Sequence, residues 1–298
     1  SRAISEVNDM RTTASMVLSV AAIALFQGHV WGSGTQSPIM LAPTVTVQNV
    51  DEPFDYFTNS WGVIGLKDYP NGTRITPKGE LVLADGLLCR PLIGKPMVPL
   101  NWQIKKTLRD GYLPIVRLDF IANQITRYTI EAFACPLDPR KKGDYDWPSR
   151  ANFLNLMRVT MESLAPGPIE ACFGLEWQSK EGKLDCQLKR VLTTDSIAIY
   201  SGSDLLGLIW LPERTSAAVD GSKIRIGSRL GVRESRIITL CVPFERLVKP
   251  SNDMLRNLAG LDFEAAENQT VSFWQGLLGR GTQLELSLIH ISEPTRPY

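Results

Sequence analysis

The sequence predicts a mainly β protein: a large antiparallel β-sandwich, preceded by an N-terminal signal helix and followed by C-terminal linker helices. Three observations point there. From about Ile39 to Phe244 the chain reads as short β-rich runs broken by Gly, Pro, Asn and Asp. Inside those runs apolar residues fall on every second position, as in Arg127–Phe133 and Phe153–Met161, which buries one face of each strand. After Pro243 the period changes from two to three-and-four, the spacing of a helix with one apolar stripe.

The elements follow in order. Residues 1–9 show no apolar period and read as upstream read-through, with Met10 as the expected start. Arg11 precedes an uncharged apolar run of 11 residues, Met16 to Phe26, and small residues follow from Gly28 to Ser33. This is the layout of a secretory signal peptide over residues 10–32, with the cut expected after Gly32. The run is short of the roughly 20 residues that span a bilayer. A buried N-terminal helix is the alternative. Export to a periplasm, cell surface or medium is therefore expected.

Strand candidates begin at Val45–Gln48. Tyr112–Phe120 and Ile125–Phe133 read as a hairpin turning at Ala122-Asn123-Gln124. Further strands are expected at Phe153–Met161, Ile169–Trp177, Ile197–Tyr200, Leu205–Leu211, Lys223–Ile226 and Arg236–Val242. Strands at this spacing favour an antiparallel sandwich. Pro250-Ser251-Asn252 can cap a short helix through Leu258, and Gly260 breaks it. Asp262 then caps a helix of about five turns. Its stripe runs Phe263, Ala266, Thr270, Phe273 with Trp274, and Leu277, and it ends at Gly279 and Gly281. The final 13 residues, Leu286 to Tyr298, resemble a translated transposon-end adapter from DNA library preparation. The natural frame is therefore expected to have been cut near Glu285, leaving an N-terminal fragment.

Composition narrows the function. Lys and Arg total 32 against 31 Asp and Glu, so no charge field calls for nucleic acid or an anionic membrane. Beyond the signal no long apolar stretch remains, so no membrane contact is expected after its removal. The five cysteines, Cys89, Cys135, Cys172, Cys186 and Cys241, form no C-x-x-C pair. They fit buried apolar positions better than a disulfide framework, with a Cys172–Cys186 bridge as the alternative. The two histidines, His29 and His290, lie in the signal region and the tail. The segment between them lacks the imidazole that Ser-His-Asp, Cys-His and His-ligated metal chemistry require. No phosphate-binding glycine motif is present. No metal and no cofactor are expected.

Three segments together carry a family resemblance: Asn59 to Arg74, then Gly111 to Val116 running into Tyr128 to Pro136, then Phe273-Trp274-Gln275-Gly276-Leu277-Leu278-Gly279-Arg280-Gly281-Thr282. Their order resembles bacterial secreted six-hairpin glycosidases, the trehalase, glucoamylase and rhamnosidase-like clan. The resemblance implies a β-supersandwich over residues 33–244. It implies a helical linker over 245–285, leading to an (α/α) barrel in cis that this chain lacks. It implies glycoside hydrolysis by paired carboxylates located in that barrel, so no catalytic residue is assigned in this chain.

Within the chain the segment Trp61 to Arg74 is the leading site for carbohydrate. Aromatic faces stack on sugar C–H faces, and flanking charged groups hydrogen-bond hydroxyls. Trp61, Asp68, Tyr69 and Arg74 are the candidates. The competing expectation is a buried Trp anchoring a turn, with Asn71-Gly72 as a hairpin signal. Asp119 and Glu131 stand on facing strands of the expected hairpin and are weighed as an acid–base pair or as surface charges. Asp144, Asp146 and Trp147 follow Arg140-Lys141-Lys142 in a polar loop with too few oxygens for calcium. Lys223, Arg225, Arg229, Arg233 and Arg236 lack interleaved aromatics and read as the solvent face of a strand. The Phe263–Leu277 stripe packs on the sandwich, on the missing domain or on a partner.

The resulting expectation is a non-catalytic N-terminal fragment of a secreted glycoside hydrolase acting on oligo- or polysaccharide. The rivals are a stand-alone carbohydrate-binding or mutarotase-like sandwich with exposed aromatics on a concave sheet face, and a structural surface protein without such a face.

Overall fold

A computed structural model describes residues 46–49, 61–100, 104–139, 152–191 and 195–280. The signal region, the Asp144–Asp146–Trp147 loop and the adapter-like tail lie outside the described residues. The fold is mainly β: two antiparallel sheets form a sandwich, and two helices follow at the C-terminal end.

The longest strands belong to one sheet: β8 (Leu113–Ala122), β9 (Thr126–Pro136), β10 (Phe153–Ser163) and β18 (Ser235–Pro243). They lie side by side in that order. Beyond β18 come β15 (Asp204–Trp210), β14 (Ser196–Ser201) and β13 (Gln187–Arg190), with β19 (Leu247–Val248) also on β15. Beyond β8 come β1 (Val47–Asn49) and β7 (Lys106–Arg109). The β8–β9 hairpin turns through Asn123 and Gln124, at φ 52° and 61°. Asn tolerates this left-handed backbone because its short amide bonds locally. Here Asn123 also accepts from the Thr46 amide at 2.9 Å and ties β1 to the turn.

The second sheet runs β16 (Thr215–Asp220), β17 (Lys223–Leu230), β11 (Ile169–Ser179), β5 (Leu88–Ile93), β4 (Leu81–Val82), β3 (Thr73–Ile75) and β2 (Gly62–Ile64). Two short strands, β6 (Val98–Pro99) and β12 (Gly182–Lys183), flank β5 and β11. The β17 burial alternates strictly, leaving Arg225 and Arg229 exposed, as the basic run led us to expect.

Two cores hold these layers together. Between the sheets Phe120, Tyr128, Ile130, Met157 and Val159 meet Phe173, Leu175, Trp177, Ile224 and Ile226. Tyr128 spans the gap: its ring stacks on Phe120 at 5.5 Å, and its hydroxyl donates to the Cys172 carbonyl at 2.8 Å. Burial and the charge on Cys172 push this phenol pKa upward. At the centre of β11, a Cβ on Gly174 would lie 2.2 Å from the Ile224 carbonyl oxygen and 2.3 Å from the Met97 methyl. Only glycine fits that approach.

The second core lies on the opposite face of the first sheet. Ile115, Phe133, Leu156, Leu208 and Cys241 are covered by Leu258, Phe263 and Ala266 of the helices. For this reason Ala132–Pro136 and Phe153–Met157 are buried at every residue, because those stretches are covered on both sides. Helix α1 (Asn252–Ala259) is capped by the Ser251 hydroxyl, which accepts from the Met254 amide at 3.2 Å. Helix α2 (Phe263–Leu278) is capped by Asp262, which accepts from the Glu264 and Ala265 amides at 2.9 and 3.2 Å. Trp210 donates from its indole to the Ala259 carbonyl at 2.9 Å and pins the helix junction to β15. Of the stripe on α2, Phe263, Ala266 and Thr270 are buried, while Phe273, Trp274 and Leu277 are half-buried.

The five cysteines are buried free thiols, and the Cys172–Cys186 bridge does not form. Asp119 and Glu131 do not face each other: Asp119 opposes Thr129 and Glu131 opposes Arg117. Asp119 instead accepts from Arg117 at 2.9 Å and from Arg127 at 2.9 and 2.5 Å. Its lone pairs are occupied by guanidiniums, and it offers no base.

Candidate functional site

The β2–β3 hairpin carries most of the segment singled out in the sequence. Ile64 pairs with Thr73 and Val63 with Arg74, so the chain between them forms a closed loop. The hairpin forms, but Asn71-Gly72 is not its two-residue turn: neither residue takes a positive φ, and the connection runs over residues 65–72 before β3. A Cβ on Gly72 would lie 2.8 Å from the Val63 side chain and 3.0 Å from the Ile64 carbonyl oxygen. Glycine there lets the loop fold tightly back on its own strand.

Beside this hairpin is a groove of 690 Å³. Its walls come from four distant segments. The hairpin supplies Val63, Asn71 and Arg74. The turn after β4, a short 3₁₀ turn at Ala84–Gly86, supplies Asp85. The β11–β12 turn supplies Lys180, and the end of β18 supplies Phe244 and Glu245. Val63, Arg74 and Val82 align across β2, β3 and β4 on the outer face of the second sheet.

The sequence candidates divide at this groove. Arg74 is exposed and lines it. Trp61 is 55% exposed, with the Arg74 guanidinium 5.9 Å from its ring centroid, so it is not a buried turn anchor. Tyr69 lies below the groove, edge-on to Phe153 at 5.1 Å and to Phe244 at 6.0 Å, and Phe153 stacks on Phe244 at 4.6 Å. Burial and then the charge of Glu245 raise the Tyr69 phenol pKa. Tyr69 therefore supports the floor rather than presenting a free face. Asp68 is exposed at φ 60°, pairs with its neighbour Lys67 and does not line the groove.

The walls are fixed by hydrogen bonds. Asn152 donates to the Glu245 carbonyl at 2.7 Å, and its side-chain oxygen accepts from the Glu245 amide at 2.9 Å and the Phe153 amide at 2.8 Å. The Ala84 amide donates to the Phe244 carbonyl at 3.1 Å. Asp85, Asn152, Lys180 and Glu245 escaped the sequence reading because each acts through long-range pairing. The only local signals were turn dipeptides, Asp85-Gly86 and Glu181-Gly182.

Chemically the groove offers cationic donors, carboxylate acceptors and an amide around an apolar floor. Among the described residues no group of three or more His, Cys, Asp or Glu stands together as metal ligands. The thiols are not nucleophiles at neutral pH: burial pushes Cys186 up to about 12 and Cys135 well above its ordinary value. Elsewhere the buried carboxylates are engaged. Burial raises the Glu176 pKa, but Lys183, Arg90 and Lys223 together hold it below its usual value. No helix among the described residues is long and apolar enough to cross a membrane.

Fold and groove define the class: a two-sheet antiparallel β-sandwich with a docked helix pair and a ligand-sized groove at one edge. No family model and no curated protein matches the chain. Among solved structures, one described as "Putative kojibiose phosphorylase from human microbiome" is similar at 13% identity and a TM-score of 0.38. The match covers 74% of this chain and 31% of that one, so the chain spans about a third of its length.

Proposed function

We propose that the sandwich is a non-catalytic, carbohydrate-binding part of a glycoside-processing protein that is exported from the cell. In the wider form of this reading, residues 245–285 lead from the sandwich to a catalytic (α/α) barrel in cis. One observation carries the binding assignment: exposed Trp61, itself outside the lining, stands beside Arg74, which lines a groove walled by charged and amide side chains with apolar residues among them. Stacking faces and planar hydrogen-bonding groups are what sugar rings present surfaces for.

Binding without turnover is favoured by the chemistry of the described residues. Imidazole is lacking between His29 and His290. The thiols are buried and the Asp119 carboxylate is bound by two arginines. The test is to incubate the protein with neutral aryl glycosides and oligosaccharides. No release of reducing sugar is expected, and hydrolysis that survives rigorous purification would refute the non-catalytic assignment.

A structural surface role is the second reading. It is favoured by the part of the first sheet's helix-bearing face where Arg117, Glu131 and Arg158 stand in one row rather than exposed aromatics, Arg158 packing against Phe263 of α2. That face also gives no support to a stand-alone module binding through an aromatic concave sheet.

A further inference from the structure

We infer that the groove beside Trp61 takes a neutral oligosaccharide, not a uronate or a phosphorylated sugar. This rests on the carbohydrate reading above and narrows it to a ligand class.

The charge pattern points that way. Arg74 and Lys180 are balanced by Asp85 and Glu245 on the groove wall. A groove built for an anion concentrates one sign of charge, whereas this one sets cations against carboxylates. An anionic ligand would meet repulsion from two carboxylates that offsets its attraction to the two cations. A polyol gains from both sets, because its hydroxyls donate to carboxylates and accept from guanidinium and ammonium groups.

The pairing pattern strengthens the point. Some charged side chains elsewhere are matched: Arg90 with Glu80 and Glu176 at 2.6 and 3.1 Å, Arg109 with Glu267 at 2.7 Å, and Lys95 with Glu170 at 2.8 Å. Among the described residues, Arg74, Asp85, Lys180 and Glu245 have no ion-pair partner, although they share one groove. Their donors and acceptors stay open to a ligand.

The apolar surface is complementary to this. Val63, Val82 and Phe244 supply apolar lining, and Trp61, outside the lining, presents an exposed indole next to Arg74. A pyranose has an apolar C–H face and a ring of hydroxyls at its edge, and the groove presents those two surfaces in the matching order. Its walls are already tied by Asn152 and by the Ala84–Phe244 hydrogen bond, so little ordering entropy opposes binding. At 690 Å³ it falls in the roughly 300–1,000 Å³ range of ligand sites and admits a short oligosaccharide.

The test is isothermal titration of the full chain with maltotriose, cellotriose, mannotriose and a β-linked galactotriose, beside trigalacturonate and inorganic phosphate. At least one neutral trisaccharide should bind with an affinity that holds between about 0.05 and 0.5 M salt. Trp61→Ala should weaken it about tenfold, and Arg74→Ala, Asp85→Asn and Glu245→Gln each about fivefold. These side chains are exposed, and thermal melting checks that each variant folds. Arg225→Ala, outside the groove, should leave binding unchanged. Salt-sensitive binding of trigalacturonate in preference to the neutral sugars overturns the ligand class and leaves the carbohydrate reading standing. Neutral binding that ignores all the groove variants overturns the location only. Absence of binding by every sugar overturns both, and binding of phosphate alone does the same.

Discussion

The amine of Lys106 sits where water does not reach: the residue is 1% exposed, and its hydrogen bond to the Thr76 carbonyl is a long 3.4 Å. Burial lowers its pKa to about 8 from an ordinary 10.5. The unfolded chain therefore binds more protons between those values, and stability rises with pH across that window. Below pH 8 the amine is protonated in both states and the full penalty applies, about 3 kcal/mol. Lys106→Met should accordingly raise the urea unfolding free energy by about 2–3 kcal/mol at pH 7 and by little above pH 10.5. An equal gain at both pH values would sink this account of Lys106. Asn152 makes the opposite case. Its amide serves three backbone partners beneath the groove, and it is 6% exposed. Asn152→Ala leaves those groups unsatisfied and should cost about 3 kcal/mol in the same measurement. It should also loosen the Glu245 wall.

Helix α2 is held to the first sheet by apolar contact and by charge. Phe263 meets Phe133 edge-on at 5.1 Å, and the Arg158 guanidinium lies 4.2 Å from the Phe263 ring centroid. Glu267 bonds Arg109 at 2.7 Å and lies 3.8 Å from Arg158. Burial still outweighs the pull of both arginines, and Glu131 and Glu264 add to it, so the Glu267 pKa is raised. A raised carboxyl pKa means that protonation favours the folded state. The contribution is complete below the unfolded pKa and is lost as pH rises through the folded one. Glu267→Gln should thus flatten the pH dependence of stability just above the ordinary carboxylate range, with little loss at pH 7. An unchanged slope in urea titrations across that range would contradict the assignment. The helix starts were legible in the sequence because Pro250-Ser251-Asn252 holds capping residue types and Asp262 is one, and the long strands because alternation over seven or more residues has no other reading. Strands β2, β3 and β4 were not legible, since a two- or three-residue strand has no period and exists only through its neighbours. The hairpin part of the groove was visible as Trp61 to Arg74. Lys180 and Glu245 arrive there through sheet pairing that no local pattern encodes.

At the scale of the whole molecule, sheet on sheet and helix on sheet seal Cys89, Cys186, Cys135 and Cys241 in the two cores, and Cys172, outside both, is buried as well. In native buffer a thiol-reactive reagent should label none of the described cysteines, and in denaturant it should label every one. Rapid native labelling would mean that the layers separate more readily than their packing implies. The same layering separates support from recognition. The two cores hold the frame, and the groove collects segments that the frame brings together from positions as far apart as Val63 and Glu245. The central claim is that this frame presents a preformed sugar groove. The most direct test is an amide chemical-shift titration of the isotope-labelled protein with the neutral trisaccharides. Saturable shifts should cluster at Trp61, Val63, Asn71, Arg74, Asp85, Lys180 and Glu245, with the helix-bearing face of the first sheet silent. Shifts centred on that face, at Arg117, Glu131 and Arg158, or no shifts with any of these sugars, would contradict it.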